Sequence, residues 1–345
     1  MKRFITTALL LASMYTSAQE IKTTPLAISA YAETYYTYDF NRAVTNTLPA
    51  YLYNFNRANE VNINLAYVKA SYLTERTRAN VTLATGTYMN ANYSAEPGLL
   101  KNIYEANIGL RLSAKHNLWL DAGVLPSHIG WESAIGKDNA TLTRSLAAEN
   151  SPYFEAGARL SYTSASSKWY LSAQVLNGWQ RIQRVDGNTT PAFGTQATFK
   201  PSSKVSLNSS TFIGSDQPDS LRRMRYFHDL YGSFQLNEQW TAIAGFDIGA
   251  QQKEKGSSSY DTWYTSALIL KYAAGSGVSL AGRAEYYADK KGVIISTAAG
   301  DGFKTWGFSG NADYQIASNL LWRIELRSFN STYDPALTTS LSLSF

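Results

Sequence analysis

Apolar and polar residues alternate along most of this chain, and this period of two limits its fold more than any other feature. Successive side chains of a β-strand point to opposite faces, so each alternating segment predicts a strand with one apolar and one polar face. About sixteen such segments, each of about 10 to 13 residues, run from near Ala27 to Phe345. Soluble strands usually have about five or six residues, whereas about 9 to 11 suffice for a tilted strand that crosses a bilayer. The pattern predicts an all-β fold, a transmembrane antiparallel β-barrel of about 16 strands.

Parity assigns side chains to the two faces of this barrel. The side chains predicted to face lipid in four clear segments are Val61, Ile63, Leu65 and Tyr67; Phe154, Ala156, Ala158, Leu160 and Tyr162; Trp306, Phe308, Ala312, Tyr314 and Ile316; and Leu320, Trp322, Ile324 and Leu326. The opposite parity is rich in charge, which predicts a water-filled lumen because side chains cannot fill so wide a barrel. The predicted pore-lining wall consists of Glu105, Glu155, Arg159, Asp247, Arg283, Glu285, Arg323, Glu325 and Arg327. Pairing of these charges across neighbouring strands is the alternative interpretation.

The last nine residues, LTTSLSLSF, carry the alternation to Phe345. In hydrocarbon every backbone N–H and C=O must be paired, and a sheet achieves this only when it has no free edge. A last strand that ends on an aromatic residue resembles the insertion signal of outer-membrane barrels, which their assembly machinery recognises. We therefore predict that Phe345 is an assembly signal and that the barrel-assembly machinery is a partner.

The first 18 residues predict a secretory signal peptide, since Lys2 and Arg3 precede an apolar run over 4–14 and small residues lead to Ala18. The run is shorter than the roughly 20 residues of a membrane helix, which disfavours a retained anchor. We expect residues 19–345 to form a single outer-membrane barrel. The chain has no cysteine, so disulfides cannot stabilise the exported protein.

Composition excludes several classes of protein. The formal charge is +5, and removal of Lys2 and Arg3 leaves +3, which is too weak to indicate nucleic-acid binding. Beyond the signal, no stretch approaches 18 uninterrupted apolar residues, so helical membrane spans are excluded. Tyrosine and tryptophan cluster near strand ends, which predicts aromatic girdles at both membrane boundaries. The alternative, a soluble sandwich, would need a second layer over the apolar face, and no segment is left to supply it.

Short and long connections alternate along the chain. Short turns on one rim and long loops on the other are typical of outer-membrane barrels, with the short turns periplasmic and the long loops extracellular. An even number of strands then places both termini in the periplasm. The longest connection, 126–152, joins the fifth predicted strand to the sixth.

The segment 121–157, followed by 176–184 and 222–232, resembles the outer-membrane β-barrel porin family with OmpL-like members. The resemblance covers nearly the whole mature chain and is most specific over 123–157. It implies a general diffusion channel, or a channel for small solutes, in the Gram-negative outer membrane. It brings no catalytic residue with it.

The 126–152 loop is the candidate constriction, because in general porins the loop at this place folds inward and narrows the pore. Charged side chains around a constriction create the field that sorts ions and polar solutes. The candidate constriction residues are His128, Glu132, Lys137, Asp138, Arg144 and Glu149. In the alternative interpretation the loop is a lid on the outer rim, and its charges are solvated.

Our leading hypothesis is a porin, a passive channel for small hydrophilic solutes with a charged constriction. The alternative is a structural or adhesive barrel with a plugged lumen and ligand-binding extracellular loops. A substrate-specific transporter is disfavoured, because the first strand begins about nine residues after the signal and leaves no room for a plug domain. Expected partners are outer-membrane lipid, lipopolysaccharide, and small polar solutes or ions, with no nucleic acid. The sequence leaves open whether the barrel forms a homotrimer.

The basic run RRMR at 222–225 offers two interpretations, a cluster that holds anions or lipopolysaccharide phosphates and a solvated rim.

Enzymatic hypotheses are weak. A membrane-embedded serine lipase needs a serine and a histidine on the lipid face with a third, orienting group. No spacing of His116, His128 or His228 demands that, and no histidine pair has metal-ligand spacing. We therefore predict no enzyme activity, no cofactor and no metal.

Overall fold

Sixteen strands form one closed antiparallel barrel. The computed structural model describes residues 25–41, 45–297, 300–330 and 333–345, so the predicted signal peptide lies outside the described residues. The strands are β1 Leu26–Asp39, β2 Val61–Leu73, β3 Thr77–Thr85, β4 Ile103–Arg111, β5 Asn117–Pro126, β6 Phe154–Thr163, β7 Trp169–Leu176, β8 Ala192–Ser202, β9 Val205–Gly214, β10 Arg225–Gln235, β11 Trp240–Gln252, β12 Tyr260–Gly275, β13 Val278–Asp289, β14 Phe303–Ala317, β15 Leu320–Phe329 and β16 Tyr333–Ser344. The predicted fold class and strand number are confirmed.

Among the described residues, helical structure is confined to short pieces of the loops. These pieces are two short α-helices, α1 Thr87–Asn92 and α2 Leu146–Glu149, and three turns of 3₁₀ helix at Gly98–Asn102, Gly136–Asp138 and Asp219–Leu221. In the described ranges, no helix is long and apolar enough to span a membrane.

The barrel closes where its first strand meets its last. Ala30 and Phe345 exchange two backbone hydrogen bonds, with N···O distances of 2.6 and 3.0 Å. From Tyr31 paired with Ser344 to Asp39 paired with Ala336, β1 and β16 then run in continuous register. The side chain of Phe345 points outward and is 72% exposed. Closure therefore leaves no free sheet edge, as hydrocarbon requires.

The predicted face parity holds along β14 and β15. Trp306, Phe308 and Trp322 are exposed on the outer face, whereas Arg323 and Glu325 are buried on the inner face. Because the outer face is apolar and the inner face charged, these strands have the pattern of a barrel that stands in lipid.

Parity fails in β2, where Leu65 and Tyr67 face the lumen instead of lipid. Asn64 is an extra residue, because Glu33 pairs with Leu65 while the next residue, Thr34, pairs with Ile63. Such a β-bulge shifts the register by one residue and moves every later side chain to the other face. The prediction was therefore right for Val61 and Ile63 and wrong beyond the bulge.

Phe154 is also wrongly predicted to face lipid. It is buried, and its ring stacks on that of Tyr93 at a centroid distance of 3.9 Å. Tyr93 belongs to the loop of residues 86–102, so this loop covers the start of β6. Farther along the same strand, Leu160 is exposed as predicted.

The connections divide into a turn rim and a loop rim. The turn rim carries 74–76, 112–116, 164–168, 203–204, 236–239, 276–277 and 318–319, and the loop rim carries 40–60, 86–102, 127–153, 177–191, 215–224, 253–259, 290–302 and 330–332. The strands β3 to β7 have only 8 to 10 residues, whereas β11 to β14 have 12 to 16. The wall is therefore low on one side of the barrel.

The hydrophobic core lies inside the barrel, toward the loop rim. One cluster packs Leu52 and Leu146 from two loops against Phe303 and Phe329 of the wall. A second cluster packs Tyr88, Met89 and Tyr93 against wall residues that include Tyr31 and Leu65. Apolar loop residues thus fill much of the lumen on the loop side.

We expect Phe345→Asp to lower the amount of folded barrel in the outer membrane. The backbone bonds to Ala30 survive the change, but a charge replaces the exposed lipid-facing ring. Heat-modifiable migration of the membrane fraction on gels measures the folded amount. Phe345→Trp, which keeps an aromatic ring, is the control, and wild-type levels of folded Phe345→Asp would contradict the assembly-signal hypothesis.

Candidate pore constriction

Residues 127–153, here called the inward loop, lie inside the barrel. Near its start the loop is fixed by His128, whose Nδ1 lies 2.8 Å from a carboxylate oxygen of Glu155 on β6 and whose Nε2 lies 2.8 Å from the Thr211 carbonyl oxygen on β9. Ser210 donates to the His128 carbonyl oxygen at 2.6 Å. The ring of Trp131 then packs on that of Tyr231, with 5.8 Å between centroids. The loop therefore crosses the lumen instead of covering the rim.

On the opposite side of the lumen, a side chain of β15 binds the backbone of the inward loop. Arg323 donates to the carbonyl oxygens of Gly136 at 2.7 Å, Asn139 at 3.1 Å and Thr141 at 3.2 Å. The same guanidinium forms two bonds with Asp313, at 2.6 and 3.0 Å. An irregular segment inside a barrel has unpaired carbonyls, and one buried arginine satisfies three of them.

The neighbouring wall residues hold the next part of the loop. Glu325 accepts the Thr143 N–H and Glu285 accepts the Leu146 N–H. Arg283 donates to the carbonyl oxygen of Thr143 at 2.7 Å and lies 3.1 Å from Glu325. Carboxylates thus accept hydrogen bonds from the loop N–H groups, and arginines donate hydrogen bonds to the loop carbonyls. These bonds fix the loop in one register.

This geometry corrects the prediction of a water-filled charged wall. All nine predicted wall residues lie on the lumen-facing side of their strands, but all except Arg159 are buried. Glu155, Arg283, Glu285, Arg323 and Glu325 are buried by the inward loop, and Arg327 pairs with Glu285 at 2.9 Å. Their charges are used in bonds to the loop and to each other, so they do not face pore water.

The remaining predicted wall residues lie away from this network. Glu105 pairs with Lys69 at 2.6 Å, and Asp247 lies opposite Asp229 on the neighbouring strand. Arg159 donates to Gln174 at 2.8 Å and is half-buried. Arg159 is therefore the member of the predicted set that keeps contact with solvent.

Four of the six candidate constriction residues stabilise the loop instead of facing the pore. Arg144 is fully buried and donates to the carbonyl oxygens of Ser133 at 2.7 Å and Ala134 at 3.2 Å, within the loop itself. Glu132 accepts the Ser145 N–H at 3.0 Å. Burial raises the pKa of Glu132. His128, described above, and Glu149 complete this group.

His128 is buried, and its pKa reflects two opposed effects. Burial lowers the pKa, but the charge of Glu155, the hydrogen bond to that carboxylate and the bond to Thr211 together raise it above the ordinary value. The protonated form is therefore favoured beside Glu155, which strengthens the attachment of the loop to β6.

Glu149 links the inward loop to the loop of residues 45–60. One of its carboxylate oxygens accepts the N–H groups of Tyr53 at 2.9 Å and Asn54 at 3.1 Å, and the Asn54 amide at 3.0 Å. Burial raises the pKa of Glu149 to about 7, although Arg327 and the hydrogen bonds act in the opposite direction. Near neutral pH this link is therefore half protonated.

Lys137 and Asp138 face water at the tip of the loop. Their side chains are 38% and 46% exposed, and they lie 3.3 Å apart on the 3₁₀ turn. Of the six candidates, these two are placed to act on a permeating solute.

Three ion pairs on the wall share one arrangement, in which the base is exposed and the acid is buried. The exposed fractions are 30% and 6% for Lys69 and Glu105, 32% and 5% for Arg78 and Asp121, and 35% and 6% for Lys271 and Asp313. Sequence reasoning missed all three bases. Lys69 follows the β2 bulge, and lumen parity on β3 and β12 is the signal that could have identified Arg78 and Lys271.

Gly109 on β4 makes room for the second of these pairs. A Cβ atom there would lie 2.2 Å from Asp121 Oδ1 and 2.8 Å from Arg78 Cγ. Because β4 separates β3 from β5, Arg78 can reach Asp121 only across a residue without a side chain.

The basic run at 222–225 is not one cluster. Arg225 lies over the rings of Trp179 and Trp263, at 5.2 and 5.9 Å, and 3.5 Å from Asp216. Arg222 donates to Thr190 at 3.2 Å. Arg225 is therefore a packed residue, and the arginines that precede it remain at the rim.

We expect Arg323→Met to loosen the tip of the inward loop and to raise single-channel conductance and current noise. The variant removes three bonds from a charged donor to loop carbonyls, each worth about 1.5–3 kcal/mol. Hydrogen exchange of residues 136–141 should rise in parallel. Lys271→Met is the control for hydrogen exchange, because Lys271 pairs with the same Asp313 but has no hydrogen bond to the loop. Equal exchange of residues 136–141 in both variants would contradict the anchoring role.

We expect Glu149→Gln to change the pH dependence of stability. The folded-state pKa of about 7 exceeds the ordinary 4.5, so the folded protein holds the extra proton between these values and loses stability as pH rises through them. Relative to Glu149→Gln, the wild type should lose up to roughly 3 kcal/mol between pH 5 and 8. Urea unfolding in micelles measures this. Glu75→Gln, in an exposed turn, should follow the wild type, and a constant difference between wild type and Glu149→Gln would refute the burial argument.

Comparison with known proteins agrees with this architecture. Over residues 25–341 the sequence matches the family described as "Putative beta-barrel porin-2, OmpL-like". No curated protein matches the sequence significantly.

Three solved structures show the same fold at low identity. The outer membrane channel DcaP of Acinetobacter baumannii is 11% identical with a TM-score of 0.61, over 93% of this chain and 97% of that chain. A mutant porin of Rhodopseudomonas blastica is 12% identical with a TM-score of 0.58, over 93% and 100%. In-vitro folded OmpT of Vibrio cholerae, in its trimer form, is 8% identical with a TM-score of 0.58, over 93% and 99%. The chain belongs to the OmpL-like β-barrel porin family, and it is a porin channel of the outer membrane.

Proposed function

We propose that this porin is a passive channel that favours small anions, with its narrowest point between the tip of the inward loop and the wall of β2 to β5. One observation carries the proposal. In the three wall pairs the base is exposed and the acid buried, so lumen water meets Lys69, Arg78 and Lys271 before it meets their partners. Exposed charge that lines a water-filled path sets ion preference.

The loop tip completes the proposed narrow point. Lys137 and Asp138 are exposed together, so a solute at the tip meets both signs of charge. The positive surface that a solute meets therefore comes from the exposed bases of the wall pairs and from Arg159. Neutralising Glu132 and Glu149 should leave selectivity unchanged, since both carboxyl groups are buried.

We expect the double variant Lys69→Gln, Arg78→Gln to shift the reversal potential in a salt gradient toward cation preference. The shift should shrink in high salt, because the Debye length falls from about 10 Å at 0.1 M to about 3 Å at 1 M. Lys115→Gln, in a turn on the turn rim, is the control and should leave the potential unchanged. A cation-selective wild type, or no shift in the double variant, would overturn the proposed preference.

A second candidate function, a structural or adhesive barrel with a plugged lumen, has one observation in its favour. Apolar clusters from the loops fill the loop side of the lumen, and Leu142 and Leu146 are fully buried. Planar-bilayer recording separates the two functions, because a plugged barrel has no steady conductance while a narrow channel has a small one.

We also propose that the long loops are extracellular and that both termini are periplasmic. The turn rim has connections of two to five residues, and short periplasmic turns are the rule in such barrels. The even strand number returns the chain to the rim where β1 begins.

We further propose that the barrels form a homotrimer through the outer face of β1 to β3. There a groove of about 630 Å³ is lined by residues that include Ala30, Val68, Leu83, Leu99 and Phe345, and Leu99 is 85% exposed. β3 ends at Thr85, which pairs with Ala66, while β1 and β2 continue past that pair with exposed apolar residues. The irregular backbone that follows β3 therefore lies at the depth of the hydrocarbon, where backbone groups need to be covered by protein. OmpT, a similar structure, is described in a trimer form.

We expect Leu99→Arg to dissociate the oligomer, because a charge replaces an exposed apolar side chain at the proposed contact. Light scattering of the protein in detergent gives the mass. Leu236→Arg, on an exposed turn, should keep the wild-type mass. A monomeric wild type, or an unchanged mass for Leu99→Arg, would refute the interface.

A further inference from the structure

A polar cavity, here called the loop-side cavity, lies inside the barrel near the loop rim. Its volume is about 270 Å³, and its lining is mainly polar. Pockets for drug-sized ligands have about 300–1,000 Å³, so this one suits a smaller solute. Its lining comes from Arg225 at the start of β10 and from the loops 40–60, 86–102, 127–153, 177–191, 215–224 and 290–302. A solute in this cavity is therefore surrounded by loops from most of the barrel.

Four charged residues line the loop-side cavity, and two of them neutralise each other. Arg225 lies 3.5 Å from Asp216 and over the rings of Trp179 and Trp263. Asp216 also accepts the N–H of Trp179 at 2.9 Å. These two charges are thus satisfied within the protein, and they leave the other two to meet a solute.

The other two charged residues, Arg181 and Glu149, keep open hydrogen-bonding capacity. Arg181 is half-buried, and among the described residues its side chain has no hydrogen-bond or ion-pair partner. Glu149 is buried, and its Oε2 accepts three hydrogen bonds from the loop of residues 45–60. Its Oε1 is also buried and has no partner in the described part of the chain. A buried acceptor without a donor is costly, which indicates that a ligand supplies one.

Two other loops fix the backbone on both sides of Arg181. Gln180 has a φ of 56°, which is uncommon for a residue other than glycine. Its side chain donates to the Asn92 carbonyl oxygen at 3.2 Å and accepts the Tyr153 N–H at 2.7 Å. Glu96 accepts the N–H groups of the two residues after Arg181, at 2.9 and 3.1 Å. Strained backbone that is held by such bonds is typical of functional sites.

Apolar groups line another part of the loop-side cavity. Trp179 is half-buried, and its ring packs edge-on against Phe212 and Phe227 of the barrel wall, with 4.9 Å between centroids in each case. Val293 and Ile294, from the loop before β14, also belong to the lining. An apolar side chain of a bound solute can therefore lie against these groups.

The open groups of opposite charge select the class of solute. A simple anion satisfies Arg181 and leaves Glu149 Oε1 without a donor, and a simple cation does the reverse. A solute that carries both an ammonium group and a carboxylate satisfies both residues. Charge-assisted hydrogen bonds of this kind are stronger than those between neutral groups.

We propose that the loop-side cavity binds a small zwitterion of the amino-acid class. The carboxylate of the solute contacts Arg181, its ammonium group donates to Glu149 Oε1, and its side chain lies against Trp179. A role of this site in uptake rests on the proposed channel, whereas binding itself does not.

Saturation-transfer difference NMR of the full barrel in detergent micelles tests the site and needs no ion flow. L-Leucine is the probe, and the signal from empty micelles is subtracted. Isocaproate, which is leucine without its ammonium group, and isoamylamine, which is leucine without its carboxylate, are the matched probes. Leucine should bind roughly tenfold more tightly than either, because each of them lacks one charged partner.

Two variants assign the two ends of the solute. Arg181→Gln should weaken leucine binding roughly tenfold and leave isoamylamine binding unchanged. Glu149→Gln keeps an acceptor for the loop of residues 45–60, and it should weaken leucine binding while isocaproate binding stays unchanged. Arg184→Gln is the matched control, because Arg184 lies on the same loop as Arg181 but outside the cavity lining, and it should bind leucine as the wild type does.

The opposite results overturn the proposal. Equal affinities of the wild type for the three probes would show that the cavity does not recognise a zwitterion. Unchanged leucine binding by folded Arg181→Gln would remove Arg181 from the site. A barrel that conducts but does not bind leucine would refute this site alone, whereas a barrel that binds leucine but does not conduct would refute the channel alone.

Discussion

The need of every buried backbone N–H and C=O for a partner governs this structure. In the wall the need is met by a closed sheet, down to the two bonds between Ala30 and Phe345. In the lumen it is met by side chains, because the inward loop has little regular structure of its own. Arg323 and Arg283 donate hydrogen bonds to the loop carbonyls, and Glu325 and Glu285 accept hydrogen bonds from the loop N–H groups. The wall and the loop therefore form one hydrogen-bonded unit.

In this arrangement the buried charges of the lumen stabilise the fold and are not free to set ion preference. Arg283 lies between Glu285 and Glu325 with almost no exposure, so loss of one partner leaves a buried charge that costs about 3–5 kcal/mol. Such residues are constrained by folding and cannot vary freely to adjust ion preference. The groups that can vary are the exposed bases of the wall pairs and the two side chains at the loop tip, and we assign permeation to these.

Much of the fold could be predicted from the sequence, because strand parity in a membrane is a strong local signal. The strand number, the alternation of turns and loops, and the faces of β14 and β15 follow from that period of two. The bulge at Asn64 could not be predicted, since it depends on the pairing of β1 with β2. The roles of Arg144 and Glu149 could not be predicted either, because a charge on an inward loop looks alike whether it faces water or a backbone.

The unequal height of the barrel wall accounts for both the inward course of the loops and the groove on the outer face. The low side, β3 to β7, gives rise to the loops of residues 86–102, 127–153 and 177–191, which have a long way to span before reaching the rim level of the other side. They fold inward instead, and side chains of β13, β14 and β15 hold the loop of residues 127–153 through hydrogen bonds. Because this loop is held tightly on the side of β13 to β15, we assign the boundary of the water path to the wall of β2 to β5. The same low wall leaves the groove at Leu99 uncovered on the outside, so one asymmetry accounts for both the proposed path of the pore and the surface that we assign to a second copy.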